Sequence, residues 1–335
     1  MEPIKIMMVG GRRCGKTSVL AAMQNCFECV MADSEVNIGI NDFNTMDVLE
    51  EKFREAEDYF RERSQKKRTF VPDSNPSQDI STYSFNIGTR GRNSDIILNF
   101  IDYPGEFISD PQQREKILSH ISESRILVVA IDTPHMMEED QKFDDRRNLE
   151  KRVTEMIKKS GFADEKYGPG LVLFVPLKSE RYKNDGRMGE VSAQIKQSYA
   201  SLINYLQTSN KRITIAITPI FTFGGAAFSR FERDENGEIR IDPQFKCPEK
   251  AIYNFPDPSK TRPEPQYCEQ PLLFILSFVI TQASYMKANR GWFDNIWEGF
   301  KEWYKNFPTL DEYIKQLRII NGKLKTDVDG FYLFK

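Results

Sequence analysis

Val9-Gly10-Gly11-Arg12-Arg13-Cys14-Gly15-Lys16-Thr17-Ser18 decides how this chain is read. Gly10, Gly15, Lys16 and Thr17 match G-x-x-x-x-G-K-[ST], a loop that cradles phosphates. The flanks have the form the motif requires. Ile4 to Val9 reads as a buried strand, and Thr17 to Phe27 as a helix. A triphosphate is a dense anion. Glycines let backbone N–H groups approach it, and a helix N-terminus adds partial positive charge. The expected cradle is therefore Gly10, Gly11, Arg12, Arg13, Cys14, Gly15, Lys16, Thr17 and Ser18. Lys16 would reach the β- and γ-phosphates, and the Thr17 hydroxyl would ligate Mg²⁺.

Outward from that loop, strand and helix patterns alternate. Met31 to Asn44 is polar and loop-like. Met46, Leu49, Phe53, Ala56 and Phe60 recur at helical spacing, so an amphipathic helix to about Lys67 is expected, its apolar stripe packed on the parent domain. Pro72 and Pro76 mark a mobile loop from Thr69 to Gln78. Ser81 to Ile87 and Ile96 to Ile101 read as a hairpin pair, the first half-exposed and the second buried. Helices are expected from Pro111 to Glu123, Asp144 to Lys159 and Val191 to Leu206. Buried strands are expected at Ile126 to Ile131, Leu171 to Pro176 and Ile213 to Ile217. This order predicts an α/β fold: a doubly wound, mainly parallel sheet with one antiparallel edge strand.

After Gly224-Gly225 the pattern breaks. Asp234-Glu235-Asn236-Gly237 predicts a hairpin turn within Phe228 to Ile241, and Pro248 to Pro265 is Pro-rich. Glu269 to Met286 reads as the closing helix. Beyond Gly291 all three tryptophans cluster with Phe293, Ile296 and Phe300, then Leu310, Ile314 and Leu317, as aromatic accessory helices. Lys323 to Phe334 reads as a terminal hairpin. The expected division is a domain over residues 1–290, with insertions at about 31–79 and 224–266, and a helical extension over 291–335.

Composition narrows the function classes. The chain has 335 residues with 47 Lys+Arg against 49 Asp+Glu, a net charge of −2, which offers no global attraction for nucleic acid. The Lys66-Lys67-Arg68 cluster reads as a solvated helix end. Five scattered cysteines suggest a reducing compartment, and Cys26-x-x-Cys29 lacks a second pair, so zinc is not expected. His120 and His135 are the only histidines and read as surface or packing residues. The longest apolar run, Pro271 to Ile280, is too short to span a bilayer, and no signal peptide is evident. A cytoplasmic location is expected.

Asp102-Tyr103-Pro104-Gly105-Glu106 is the second anchor. An aspartate at the carboxyl end of a buried strand can hold Mg²⁺ through water, and Gly105 would offer its N–H to a γ-phosphate. With this D-x-x-G, the chain resembles the Ras-like, translation-factor class of P-loop GTPases over about Ile4 to Met286. The resemblance implies GTP/GDP and Mg²⁺ as ligands, with Thr17 and Asp102 at the metal. It places a base-recognition box at Leu177-Lys178-Ser179-Glu180. There Lys178 would lie on the purine and Glu180 would accept from guanine, while Leu177 departs from the usual Asn or Thr. It also implies a switch threonine; Thr69 is the candidate, with Ser74, Ser77 and Thr82 as rivals. Glu106 stands where the class has a water-orienting glutamine, so hydrolysis is expected to be slow. Arg12 stands at a position usually kept as glycine, and Arg12 or Arg13 would act in cis on the phosphates or obstruct a partner's arginine.

Three phrases, Val175 to Glu180, Thr218 to Gly225 and Tyr267 to Leu273, are similar to the bacterial double-GTPase-type family linked to conflict and defence operons. That similarity implies a protein effector or operon-encoded partner. Two other readings stay open: a non-catalytic nucleotide-binding scaffold, and an ATPase or kinase-like enzyme with an imperfect base box.

Overall fold

The structure, a computed structural model, describes residues 3–26, 36–64, 79–89, 94–248, 250–255, 257, 259–260, 262–288 and 310–334. Its centre is an eight-stranded sheet in the order β10-β7-β6-β5-β1-β4-β3-β2. The strands are β1 (Ile4–Val9), β2 (Val36–Ile40), β3 (Ser81–Thr89), β4 (Ser94–Asp102), β5 (Ile126–Asp132), β6 (Gly170–Leu177), β7 (Ile213–Ile217) and β10 (Tyr332–Leu333). β4, β1, β5, β6 and β7 run parallel. Each is an apolar run because both faces are covered. Ile6 and Met8 enter one core layer and Met7 and Val9 the other, on opposite faces of the sheet.

The main helices are α1 (Lys16–Gln24), α2 (Phe43–Ser64), α3 (Pro111–Glu123), α4 (Glu150–Lys159), α5 (Met188–Ser198), α6 (Ala200–Ser209), α7 (Gln270–Ala288) and α8 (Leu310–Lys323). α3 starts where its sequence says it should: Asp110 accepts the N–H of Gln112, and Pro111 occupies the first turn. α2 is the expected amphipathic helix. Leu49 joins the main core, while Tyr59 and Phe60 pack with Ala226 and Phe255 from further along the chain. Among the described residues no helix is long and apolar enough to cross a membrane.

Several expectations are corrected. Val36–Ile40, read as loop, is strand β2, antiparallel to β3. Val36 and Ile38 point into the core and Asn37 out, an alternation too short and too polar to stand out in sequence. β3 is therefore an inner strand, and antiparallel pairing occurs on both flanks, because β10 pairs antiparallel with β7. No terminal hairpin forms from Lys323 to Phe334; Tyr332 and Leu333 go to β7 instead. The helix expected over Asp144 to Lys159 is broken at Leu149, whose φ of 55° is left-handed. The break lets the Asn148 side chain turn inward onto Asp132 and Asp144. The helix expected over Val191 to Leu206 begins at Met188 and divides at Tyr199 into α5 and α6.

The turn at Asp234–Gly237 is present, closed by Asp234 N–H to Glu238 O at 2.8 Å. Its neighbour β8 (Ala227–Phe231) pairs with β9 (Ala251–Asn254) from the Pro-rich stretch. α8 places Ile320 and Leu317 in the main core. Thr69, Ser74 and Ser77, the Lys66-Lys67-Arg68 cluster, Cys29 and the three tryptophans lie outside the described residues.

Candidate phosphate and metal site

Five parallel strands end on the same side of the sheet, so the loops after them converge there, where open α/β sheets hold their ligands. β1 delivers residues 10–15, β4 delivers Asp102, β5 Asp132, β6 Lys178 and β7 Thr218. β1 and β4 are direct neighbours, with Met7 opposite Ile101. That register brings Thr17, at the first turn of α1, to the carboxylate of Asp102: the hydroxyl donates to Oδ2 at 2.7 Å. Asp102 is buried, and its other oxygen, Oδ1, has no hydrogen-bond partner. The Lys16 ammonium lies 3.8 Å from that oxygen. It also lies 3.4 Å from the carbonyls of Gly10 and Gly11, and over the Tyr103 ring.

Two glycines allow the close approach of backbones. A Cβ on Gly11 would overlap the carbonyl of Arg147, and one on Gly105 would overlap the backbone at Gly11 and Arg12. The loop after β4 thus rests directly on the loop after β1. Tyr103 adds a second link, its hydroxyl accepting the Gly10 N–H at 3.3 Å. Arg12 lies with its guanidinium 4.2 Å from the Phe245 ring centre and its Nε 3.9 Å from Glu106. Phe245 follows β8, so the stretch after β8 covers the loop at Arg12. Cys14 is buried, which raises its thiol pKa. Ser18 is half-buried in the first turn of α1.

On the β6 side, Lys178 donates to the Arg13 carbonyl at 2.9 Å and to Asp132 at 2.6 Å. Burial opposes the Lys178 charge, but Asp132 outweighs it and keeps the ammonium protonated. Glu180 is buried and accepts the Phe223 N–H at 3.2 Å, tying the box after β6 to the loop after β7. Burial pushes its carboxyl up to about 7, against the pull of the Phe223 and Gly224 amides. Leu177 is buried against Gly15.

Sequence reading missed a buried polar chain behind the loop. Asp132 accepts from His135 Nδ1 at 2.7 Å, and Arg147 Nε donates to His135 Nε2 at 3.3 Å. Arg147 also donates to the Arg12 carbonyl and the Pro248 carbonyl, each at 3.1 Å. An imidazole that accepts at Nε2 carries its proton on Nδ1, so His135 is neutral here. Burial lowers its pKa to about 4. Burial alone would push Asp132 up; His135, Lys178 and Arg147 more than reverse this and hold it below the usual carboxylate range. The one available signal was position: Asp132 ends β5 as Asp102 ends β4.

Among the described residues no group of three or more His, Cys, Asp or Glu side chains forms a metal cage. A hard cation shared with phosphate oxygens needs none, because substrate and water complete its shell. The paired Thr17 hydroxyl and Asp102, with one buried carboxylate oxygen unbonded, fit Mg²⁺ held in that way.

Sheet order, phosphate loop and the strand-end aspartate together define an α/β fold of P-loop NTPase type. No protein-family model matches the chain, and no curated protein matches it. Among solved structures it is similar to that of sup35 complexed with GDP, with 11% identity over 73% of this chain and a TM-score of 0.31. It is also similar to LeoA, a bacterial dynamin GTPase from ETEC, with 16% identity over 64% of this chain and a TM-score of 0.29. The chain spans 41% and 30% of the lengths of those two chains.

Proposed function

We propose that the chain binds a Mg²⁺–nucleoside triphosphate, with guanine preferred, and hydrolyses it slowly as a switch read by a protein partner. The observation that carries this reading is the 2.7 Å contact of Thr17 with Asp102, beside a phosphate loop and with Asp102 Oδ1 unbonded. Bound there, Mg²⁺ would neutralise charge on the β- and γ-phosphates. Lys16 would leave the loop carbonyls for the phosphates, and the loop amides would hold their oxygens. Lys178 would lie along the base and Glu180 would accept guanine donors once ionised.

Phosphoryl transfer depends on positioning and charge neutralisation. Arg12 supplies a cation beside the loop. Glu106 carries a negative charge that repels a γ-phosphate, so the rate without an activator is low. The segment around 106–111 would change state when γ-phosphate contacts are lost. Pairing of Glu106 with Arg12 favours a second reading, a nucleotide-binding scaffold without turnover.

Titration of the purified chain with GTP and ATP, followed by phosphate release, separates these readings. GTP preference with turnover supports the switch. Binding without turnover supports the scaffold, ATP preference an ATPase, and no binding of either removes all three.

A further inference from the structure

Two consecutive carbonyls of the phosphate loop are each held by a cation, one buried and one half-buried. Arg147 Nη1 donates to Arg12 O at 3.1 Å, and Lys178 Nζ donates to Arg13 O at 2.9 Å. The two cations are joined behind the loop through His135 and Asp132. Arg147, His135 and Asp132 are all buried. A trans peptide is planar, with its C=O and the following N–H pointing in opposite directions. Drawing the Arg12 carbonyl back therefore aims the Arg13 N–H forward, and holding the Arg13 carbonyl aims the Cys14 N–H forward.

We propose that Arg147, oriented by the His135–Asp132 pair, is a positioning residue that aims the loop amides at a diphosphate. This rests on the nucleotide-binding reading above. Arg147 suits the task better than lysine would, because a planar fork of donors can serve three acceptors at once. Here they are Arg12 O, Pro248 O and His135 Nε2. The backbone contributes as well: the Arg147 carbonyl abuts Gly11, so the loop is held by both the main chain and the side chain of one residue. Asn148 fixes the base of the device. Its Oδ1 accepts the Asp132 N–H at 2.7 Å, and its Nδ2 donates to Asp144 at 2.7 Å.

The test compares GDP with GMP, by calorimetry at constant Mg²⁺ on the full chain. The loop serves the β-phosphate, which GMP lacks. Arg147→Ala is expected to weaken GDP on the order of 10- to 100-fold, the scale of a misplaced binding group, and to leave GMP little changed. Arg147→Lys should fall between. If Arg147→Ala does not fold, His135→Leu and His135→Gln replace it. The leucine variant should lose the preference for GDP over GMP, and the glutamine variant, which keeps an acceptor for Arg147, should retain most of it. An unchanged preference in Arg147→Ala or His135→Leu overturns the proposal, as does a parallel loss of both ligands. Wild-type protein that binds neither ligand overturns the nucleotide reading itself.

Discussion

Thr17 and Asp102, 85 positions apart in sequence, are joined by a 2.7 Å hydrogen bond at the ends of two neighbouring strands. The bond couples the loop after β1 to the loop after β4. It sets side by side the hydroxyl and the carboxylate proposed above to share a cation.

Asp102→Ala is expected to abolish the Mg²⁺ dependence of nucleotide binding. In wild-type protein, chelating Mg²⁺ should weaken GTP by roughly 10- to 100-fold, the range for charge-assisted contacts. In the variant, chelation should add nothing. Calorimetry with and without EDTA reads the difference, and a full chelation effect in the variant would exclude Asp102 from the metal site.

Gly105→Ala drives a methyl group into the backbone at Gly11 and Arg12. Overpacking of that kind costs about 1–3 kcal/mol. Thermal unfolding should shift down, and triphosphate affinity should fall with it, because both loops are displaced. A variant with wild-type melting temperature and affinity would show that the two loops are not in contact.

Arg12→Ala tests a cation acting in cis. Arginines that neutralise a transferring phosphoryl group contribute about 10³-fold or more. Single-turnover hydrolysis should therefore drop steeply while GDP affinity changes little. An unchanged rate would leave Arg12 with its stacking on Phe245 and its pairing with Glu106 alone.

Glu180, with its carboxyl pushed up to about 7 by burial, is expected to make the proposed guanine binding pH-dependent. Only the ionised form accepts from guanine, so GDP affinity should rise between about pH 6 and pH 8, with Glu180→Gln flat. The same shift acts oppositely on folding. A carboxyl whose folded pKa lies above its unfolded value favours the fold at low pH, and that contribution is lost as pH rises through about 7. A GDP affinity independent of pH would mean that Glu180 serves only the Phe223 loop.

His135 has a depressed pKa of about 4 against an ordinary 6.5, so the unfolded chain binds its proton first. Stability should fall as pH drops from about 6.5 to 4, by on the order of 3 kcal/mol, and Asp132 continues the trend below that. Chemical denaturation across this range should show a shallower slope for His135→Gln than for wild-type protein. Equal slopes would remove His135 as the source.

Sequence made the centre of the fold legible because long apolar runs and a glycine-spaced loop are local signals. β7 and α3 fall at their expected bounds. β2 escaped because Asn37 and Gly39 dilute a five-residue strand whose burial is set by its neighbour β3. For the candidate site, Thr17 and Asp102 were readable from motif spacing. The chain of Asp132, His135 and Arg147 was not. Its members come from one strand end, one short helical turn and the turn before α4, and only the fold makes them neighbours. His135 read as a surface or packing residue because a lone histidine has no pattern. Phe245 contacts Arg12 only because the stretch between β8 and β9 folds back over the loop.

β10 reaches β7 from far downstream, pairing Tyr332 with Ile217 and Leu333 with Ala216. On a ribosome this separates the two halves of the site in time. β1, β4, β5 and β6 can assemble once residue 177 has emerged, so the half built around Thr17 and Asp102 forms early. The edge of β7 stays open until residue 334 has left the exit tunnel, so the sheet is completed at that flank last.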